Sequence, residues 1–196
     1  MLLQILHLRG ALISILIIKA GIEMLASPVN ELLGARVSPD LIREIKQEVM
    51  GVDGVRGVFD IILHSYGPEV MIGSLHINVL DTMSAHGIHG LTRRISTLMY
   101  ERHGIIMTVG IYAVATGENQ RCELQDKVIQ ALAAHKELVQ VHGFYYSEKD
   151  RMLSVDVVPD ISCHDDTALR RQLTEEIQAL VPDLQVGIVI DHNYSE

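Results

Sequence analysis

The sequence predicts an α+β fold of two tandem modules, each ordered αββαβ, preceded by an apolar N-terminal helix. The order helix, strand, strand, helix, strand runs from about Ser38 to Val114 and recurs from about Cys122 to His192. In such a unit two amphipathic helices bury their stripes on one face of a three-stranded sheet, giving two layers. A chain of 196 residues divides naturally into two such cores. The domains are accordingly placed at 1–37 for the apolar helix, 38–116 for the first module and 117–196 for the second. Their boundary falls on the polar, turn-prone Gly117-Glu118-Asn119-Gln120.

Leu6 to Leu25 forms the apolar start, interrupted by His7, Arg9, Lys19 and Glu23. Its longest stretch free of charge or histidine, Gly10 to Ile18, rises only about 13 Å as a helix, against a hydrocarbon core of about 30 Å. The whole segment just spans if the flanking charges snorkel, with Lys19 and Glu23 at the four-residue spacing of a helical ion pair. It is expected to be a last membrane helix or its remnant, with an interface helix of a soluble oligomer as the alternative. Pro28 and Gly34 are expected to end the helix.

In the first module, Ser38 is the expected N-cap and Pro39 the first helical residue, with Leu41, Ile42, Ile45 and Val49 as the apolar stripe. Strands follow at Val58–His64 and Met71–Leu80, separated by the turn Ser65-Tyr66-Gly67-Pro68. In the second strand Leu75, Ile77 and Val79 alternate with Ser74, His76 and Asn78, so His76 faces away from the core. A helix from Ser84 to Arg102 is striped by Ile88, Leu91, Ile95 and Leu98, stops at Gly104, and leads to a strand over Ile105–Val114. The second copy uses Leu124, Val128 and Leu132, then strands at Leu138–Ser147 and Met152–Val158. Asp165 or Asp166 caps its next helix, striped by Leu169, Leu173, Ile177 and Leu180, and Gln185–Asp191 is its last strand.

Charge narrows the function classes. The formal net charge is −9; residues 1–37 carry +1, so the remainder carries −10. That surface repels phosphate backbones and attracts cations, which argues against nucleic acid as a partner. Cys122 and Cys163 are too few for a disulfide scaffold or a Cys-x-x-Cys clamp. No nucleophile, base and orienter assemble around Ser74, Ser154 or Cys163, and the glycines from Gly51 to Gly57 precede a strand rather than cradle a phosphate. The chain does not read as an enzyme.

Ten histidines and several strand-borne aspartates remain. Imidazole and carboxylate make the mixed nitrogen and oxygen shell that borderline divalent cations take. The candidates of the first module are His64, His76, His86 and His89, with His86 and His89 three apart on one helix; His76 and His89 are its expected metal ligands, and His142, Asp156, Asp191 and His192 those of the second. Their bland counterpart is exposed polar surface; His64 more simply ends a strand, and His164 with Asp165 and Asp166 starts a helix.

The stretches GIEMLASPVNELLG (21–34), SPDLIREIKQEVMGVDGVRGVFDIILHSYGPE (38–69) and SLHINV (74–79) resemble the end of the last membrane helix and the cytoplasmic domain of the cation diffusion facilitator family. The resemblance covers roughly residues 10–112, and the order of these motifs is more specific than any one of them. It implies a ferredoxin-like, metallochaperone-like domain that forms a homodimer and binds a divalent cation such as Zn, Mn, Fe or Co. It also implies a membrane-associated chain with its bulk cytoplasmic, serving a proton-coupled exporter. The family's histidines in the second strand and in the following helix match His76 and His89. Phe59 stands where the family often has a histidine before Asp60, and Gly110 or Tyr112 where it has one in the third strand. The second module, a diverged copy, retains His142 and His192. The membrane helices bearing the family's transport carboxylates are not in this sequence, so the chain alone is not expected to transport. The rival reading is a free-standing soluble metal-buffering or small-molecule-sensing regulatory protein of the same fold.

Overall fold

The computed structural model describes residues 2–32, 37–66, 70–116 and 120–192, and within the first segment the side chains of residues 10–25. Behind α1 (Leu2–Leu32) the first module contains α2 (Pro39–Met50), β1 (Gly57–Ser65), β2 (Met71–Leu80), α3 (Ala85–His103) and β3 (Ile105–Val114). The second repeats it as α4 (Gln120–Ala133), β4 (Leu138–Ser147), β5 (Met152–Pro159), α5 (Asp166–Leu180) and β6 (Gln185–Ile190). Each module has one three-stranded sheet, ordered β1-β2-β3 and β4-β5-β6. The first pair in each sheet is antiparallel and the second parallel, so α3 and α5 serve as the crossovers that parallel strands require. The predicted α+β class and module order are those observed.

Local chemistry fixes the helix ends. Ser38 accepts a hydrogen bond from the Asp40 N–H with Pro39 behind it, Ser84 accepts from Gly87, and Asp165 accepts from Ala168. Gly104, at φ 67°, turns α3 off in the left-handed conformation that a Cβ disfavours. The predicted turn residues Gly67 and Pro68, and Gly117 to Asn119 of the predicted boundary, lie outside the described residues.

Each core lies between one sheet face and its helices. In the first, Ile45, Val49, Leu75, Ile77, Ile95, Met99 and Ile105 are fully buried; in the second, Val128, Leu132, Leu153, Val155, Val157, Leu173 and Ile177 are. At about 1.5–3 kcal/mol for each large apolar side chain removed from water, these contacts fix which sheet face turns inward. Because strand side chains alternate, the opposite faces must carry His76 from β2 and Asp156 from β5. Those two polar faces are where the modules meet.

The first strand of each sheet bulges, with β1 slipping register between Phe59 and Ile62 and β4 between His142 and Tyr145. Asp60 adopts φ 52° and Gly143 φ 64° at these bulges.

α1 exposes its apolar side chains: Leu12, Ile13, Ile15, Leu16, Ile17, Ile18 and Ile22 are open to solvent, and Lys19 pairs with Glu23 at 3.7 Å on the same helix. Among the described residues, no helix is long and apolar enough to cross a membrane. The expected stop at Pro28 is not observed, since α1 continues to Leu32. A proline deletes one backbone donor and bends a helix, but need not end one whose flanking turns stay bonded. Gly34 lies outside the described residues.

Candidate metal centre between the two modules

The bulge in β1 places Asp60 at the junction of the modules, where its side chain is 11% exposed. One carboxylate oxygen lies 2.8 Å from His142 Nε2 of β4, and the other lies 3.0 Å from His76 Nδ1 of β2. Tyr112 at the end of β3 donates its hydroxyl to Asp60 at 2.8 Å and also lies 3.0 Å from Asp156 Oδ2 of β5. Asp191, just past β6, approaches His142 Nε2 at 3.7 Å. Ring contacts hold the group together: Phe59 stacks on His142 at 5.1 Å, and Tyr112 on His76 at 4.6 Å.

His142 is the buried polar side chain of this junction. Gln140 holds it, with Nε2 3.2 Å from the His142 Nδ1. With the amide donating, the neutral ring carries its proton on Nε2, toward the carboxylates; with the amide turned, Nδ1–H donates and Nε2 is free as a ligand atom. The His142 and His76 contacts to Asp60 are short, yet neither nitrogen has a hydrogen-bond partner in good alignment among the described residues. We treat them as charge contacts, because an N–H that misses its acceptor loses most of a hydrogen bond's directional energy. Each nitrogen is a buried polar atom left without a well-aligned partner, which interiors rarely tolerate.

The electrostatics are those of crowded carboxylates. Burial alone would raise Asp60, but the His142, His76, Asp191 and Tyr112 contacts outweigh it and hold the group well below the usual carboxylate range. Asp191 is pushed up by burial and by the neighbouring Asp60, and Asp156 is pushed up mainly by burial. The Asp60 contact raises His76 against the opposing effect of burial, with the charges of Asp60, Asp156 and Asp191 adding to it. Burial and the Asp60 carboxylate drive Tyr112 upward, keeping it a neutral donor. Its single proton serves one carboxylate at a time, which leaves the other carboxylate to hold a proton or a cation.

Asp60, His142 and Asp191 each offer a ligand atom within 4.8 Å of the others. His76 adds a nitrogen at Asp60's second oxygen. A cavity of about 270 Å³ opens beside them, lined in part by Ile42, Arg43, Phe59, Gln140 and Val158, and gives access from solvent. A second acidic group, Glu44, Glu48 and His103, is carried by α2 and α3, but Glu48 is already met by Arg102 at 2.8 Å and by His103 at 2.9 Å.

Of the six residues singled out by sequence, the structure thus brings His76, His142, Asp156 and Asp191 to one junction. His89 and His192 are not among the residues that meet Asp60 there. His89 is exposed on α3, which covers the core side of the sheet, whereas His76 projects from the other side. His192, also exposed, lines the cavity beside the cluster and turns to Asp166 at the start of α5, with Nε2 2.8 Å from the carboxylate. Sequence reasoning passed over Asp60 and Tyr112 as ligating or positioning groups. Asp60 had left a signal, as the one charge inside the apolar run from Gly57 to Leu63.

Residues 37–111 match the family described as "Cation efflux protein, cytoplasmic domain". Metal tolerance protein 2 of Oryza sativa subsp. japonica is 29% identical over 105 residues, covering 54% of this chain and 27% of that protein. An uncharacterized transporter of Methanocaldococcus jannaschii is 27% identical over 84 residues, covering 43% of this chain and 29% of its own length. The chain therefore spans under a third of the curated relatives it matches. The similarity to cation efflux proteins thus lies in residues 37–111, the part of this chain that matches their cytoplasmic domain.

Proposed function

We propose that the chain is the cytoplasmic pairing and cation-responsive region of a divalent-cation exporter, with α1 as the end of its membrane part. The observation that carries the cation reading is His142, whose side chain is 0% exposed, with Nε2 between Asp60 of one module and Asp191 of the other. Asp60, His142 and Asp191 hold the cation and His76 stands at Asp60's far oxygen; when bound, it supplies the positive charge that three crowded carboxylates lack. A set of carboxylate and imidazole suits Zn, Mn, Fe or Co as sensed ion and as cargo, and proton exchange belongs to the membrane part of such a protein. The exposed apolar side chains of α1 support membrane attachment, and partition into detergent against a detergent-free soluble particle separates this from a free-standing metal-buffering protein.

Calorimetric titration of metal-free full chain with Zn²⁺ and Mn²⁺ tests the reading, alongside thermal unfolding. Binding to the folded state alone stabilises by about 2.7 kcal/mol at a hundredfold excess over Kd. His142→Ala should abolish the heat, His76→Ala should weaken it, and His89→Ala should leave it unchanged. An absence of both heat and thermal shift in the unmodified chain leaves a purely structural pairing role.

A further inference from the structure

Strand register matches the modules residue by residue. Phe59 lies opposite His76 across β1 and β2, as His142 lies opposite Asp156 across β4 and β5. Ile77 pairs with Ile111 and Val157 with Ile190, so Tyr112 and Asp191 are the residues that follow at matched positions. The matched positions are therefore Phe59 with His142, Asp60 with Gly143, His76 with Asp156, and Tyr112 with Asp191.

Contacts across the junction follow this matching reciprocally. Phe59 stacks on its own counterpart, His142, at 5.1 Å with the rings 11° from parallel. Tyr112 reaches Asp156 at 3.0 Å; Asp60 reaches His142 at 2.8 Å, and their counterparts Gly143 and Phe59 line one cavity across the same junction. A position that meets its own equivalent, flanked by reciprocal pairs, defines an isologous two-fold interface. The residues on that interface are complementary in chemistry. At each matched pair at least one member offers a ligand atom: His142, Asp60, both His76 and Asp156, and Asp191.

We propose that the chain is its own dimer: the second module covers, within one molecule, the sheet face of the first that a second copy would otherwise cover. Divergence has merged two equal clusters into one asymmetric cluster with ligands divided between the copies. Five residues separate Val114 at the end of β3 from Gln120 at the start of α4. A connection that short holds the modules at an effective concentration in the millimolar range, so pairing inside the chain outcompetes pairing between chains. This holds whether or not a cation binds.

Arg43 and Gln140 line the same cavity from opposite modules, as do Lys46 and His192. The test is a flexible bismaleimide cross-link in full-length protein in detergent with chelator present, carrying Arg43→Cys and Gln140→Cys in a Cys122→Ser, Cys163→Ser background. Lys46→Cys with His192→Cys is the second pair should the first disturb folding. The expected product is an intrachain link of single-chain mass, unaffected by about a hundredfold dilution. Intrachain links inside a two-chain particle also support the proposal, placing the second contact elsewhere on the molecule. Links that join differently tagged chains, or no link at either pair in folded protein, overturn it. Chelator keeps this result separate from the cation titration.

Discussion

The first strands of the two modules bulge at the same place, and each fills the bulge differently. In β1 the left-handed residue is Asp60; in β4 it is Gly143. Asp is among the few residues with a Cβ that tolerate this conformation, which otherwise costs roughly 1–2 kcal/mol, and in return its carboxylate sits at the centre of the junction. Gly143 has the opposite duty. A Cβ there would run into the Asp156 carboxylate, so the second copy stays empty where the first is filled. The neighbouring residues invert the arrangement, with an apolar Phe59 beside Asp60 and a ligand-competent His142 beside Gly143. One backbone device, used twice, thus yields one composite cluster, and three changes bear on that comparison.

Asp60→Ala should have the largest effect. It removes the carboxylate that His142, His76 and Tyr112 all approach in a site mostly closed to water, and removing one partner of a buried charge contact costs about 3–5 kcal/mol. Denaturant unfolding measures this; a loss of under about 1 kcal/mol would mean that the bulge is a backbone feature without a charged centre.

Acid should sharpen the contrast between the junction and the outer face of the first module. Glu48 is resisted by burial, but its contacts with His103 and Arg102 prevail and lower it below the usual carboxylate value. A carboxyl lowered in the folded state contributes stability that is complete above its unfolded pKa and disappears as pH falls through the folded one. Glu48→Gln should therefore cost about 1.5–3 kcal/mol at neutral pH and progressively less below the ordinary carboxylate range. Unfolding curves of the two proteins that stay parallel from neutral to acid pH would count against that role.

Gly143→Ala is the smallest of the three. Strain at a positive φ and the approach to Asp156 should cost about 1–2 kcal/mol, whereas Gly90→Ala, on an open face of α3, should be neutral or mildly stabilising. Equal effects at the two glycines, read by thermal unfolding, would deny β4 its special geometry.

Much of this was legible in the chain. Helical stripes and strand alternation gave both modules and put His76 on the uncovered face, because burial pattern depends on local periodicity. Caps at Ser38, Ser84 and Asp165 and the stop at Gly104 were readable for the same reason, being interactions of neighbours. Asp60 was harder: its role depends on a bulge, which changes the side-chain alternation by one residue and leaves no periodic mark. Tyr112, one of the two positions matched to a missing histidine, is a donor within reach of two carboxylates. His89 and His192 do not reach Asp60, because helix side and strand end decide direction, and residue type does not.

The sequence by itself determined two αββαβ cores, their helix ends and the polar faces left over, all through contacts between residues near in the chain or periodic along it. Only the tertiary structure decided that Asp60, His76 and Tyr112 of one copy share a site with His142, Asp156 and Asp191 of the other. That meeting depends on how two sheet faces dock across dozens of intervening residues, and the register of two bulged strands sets which side chains arrive together.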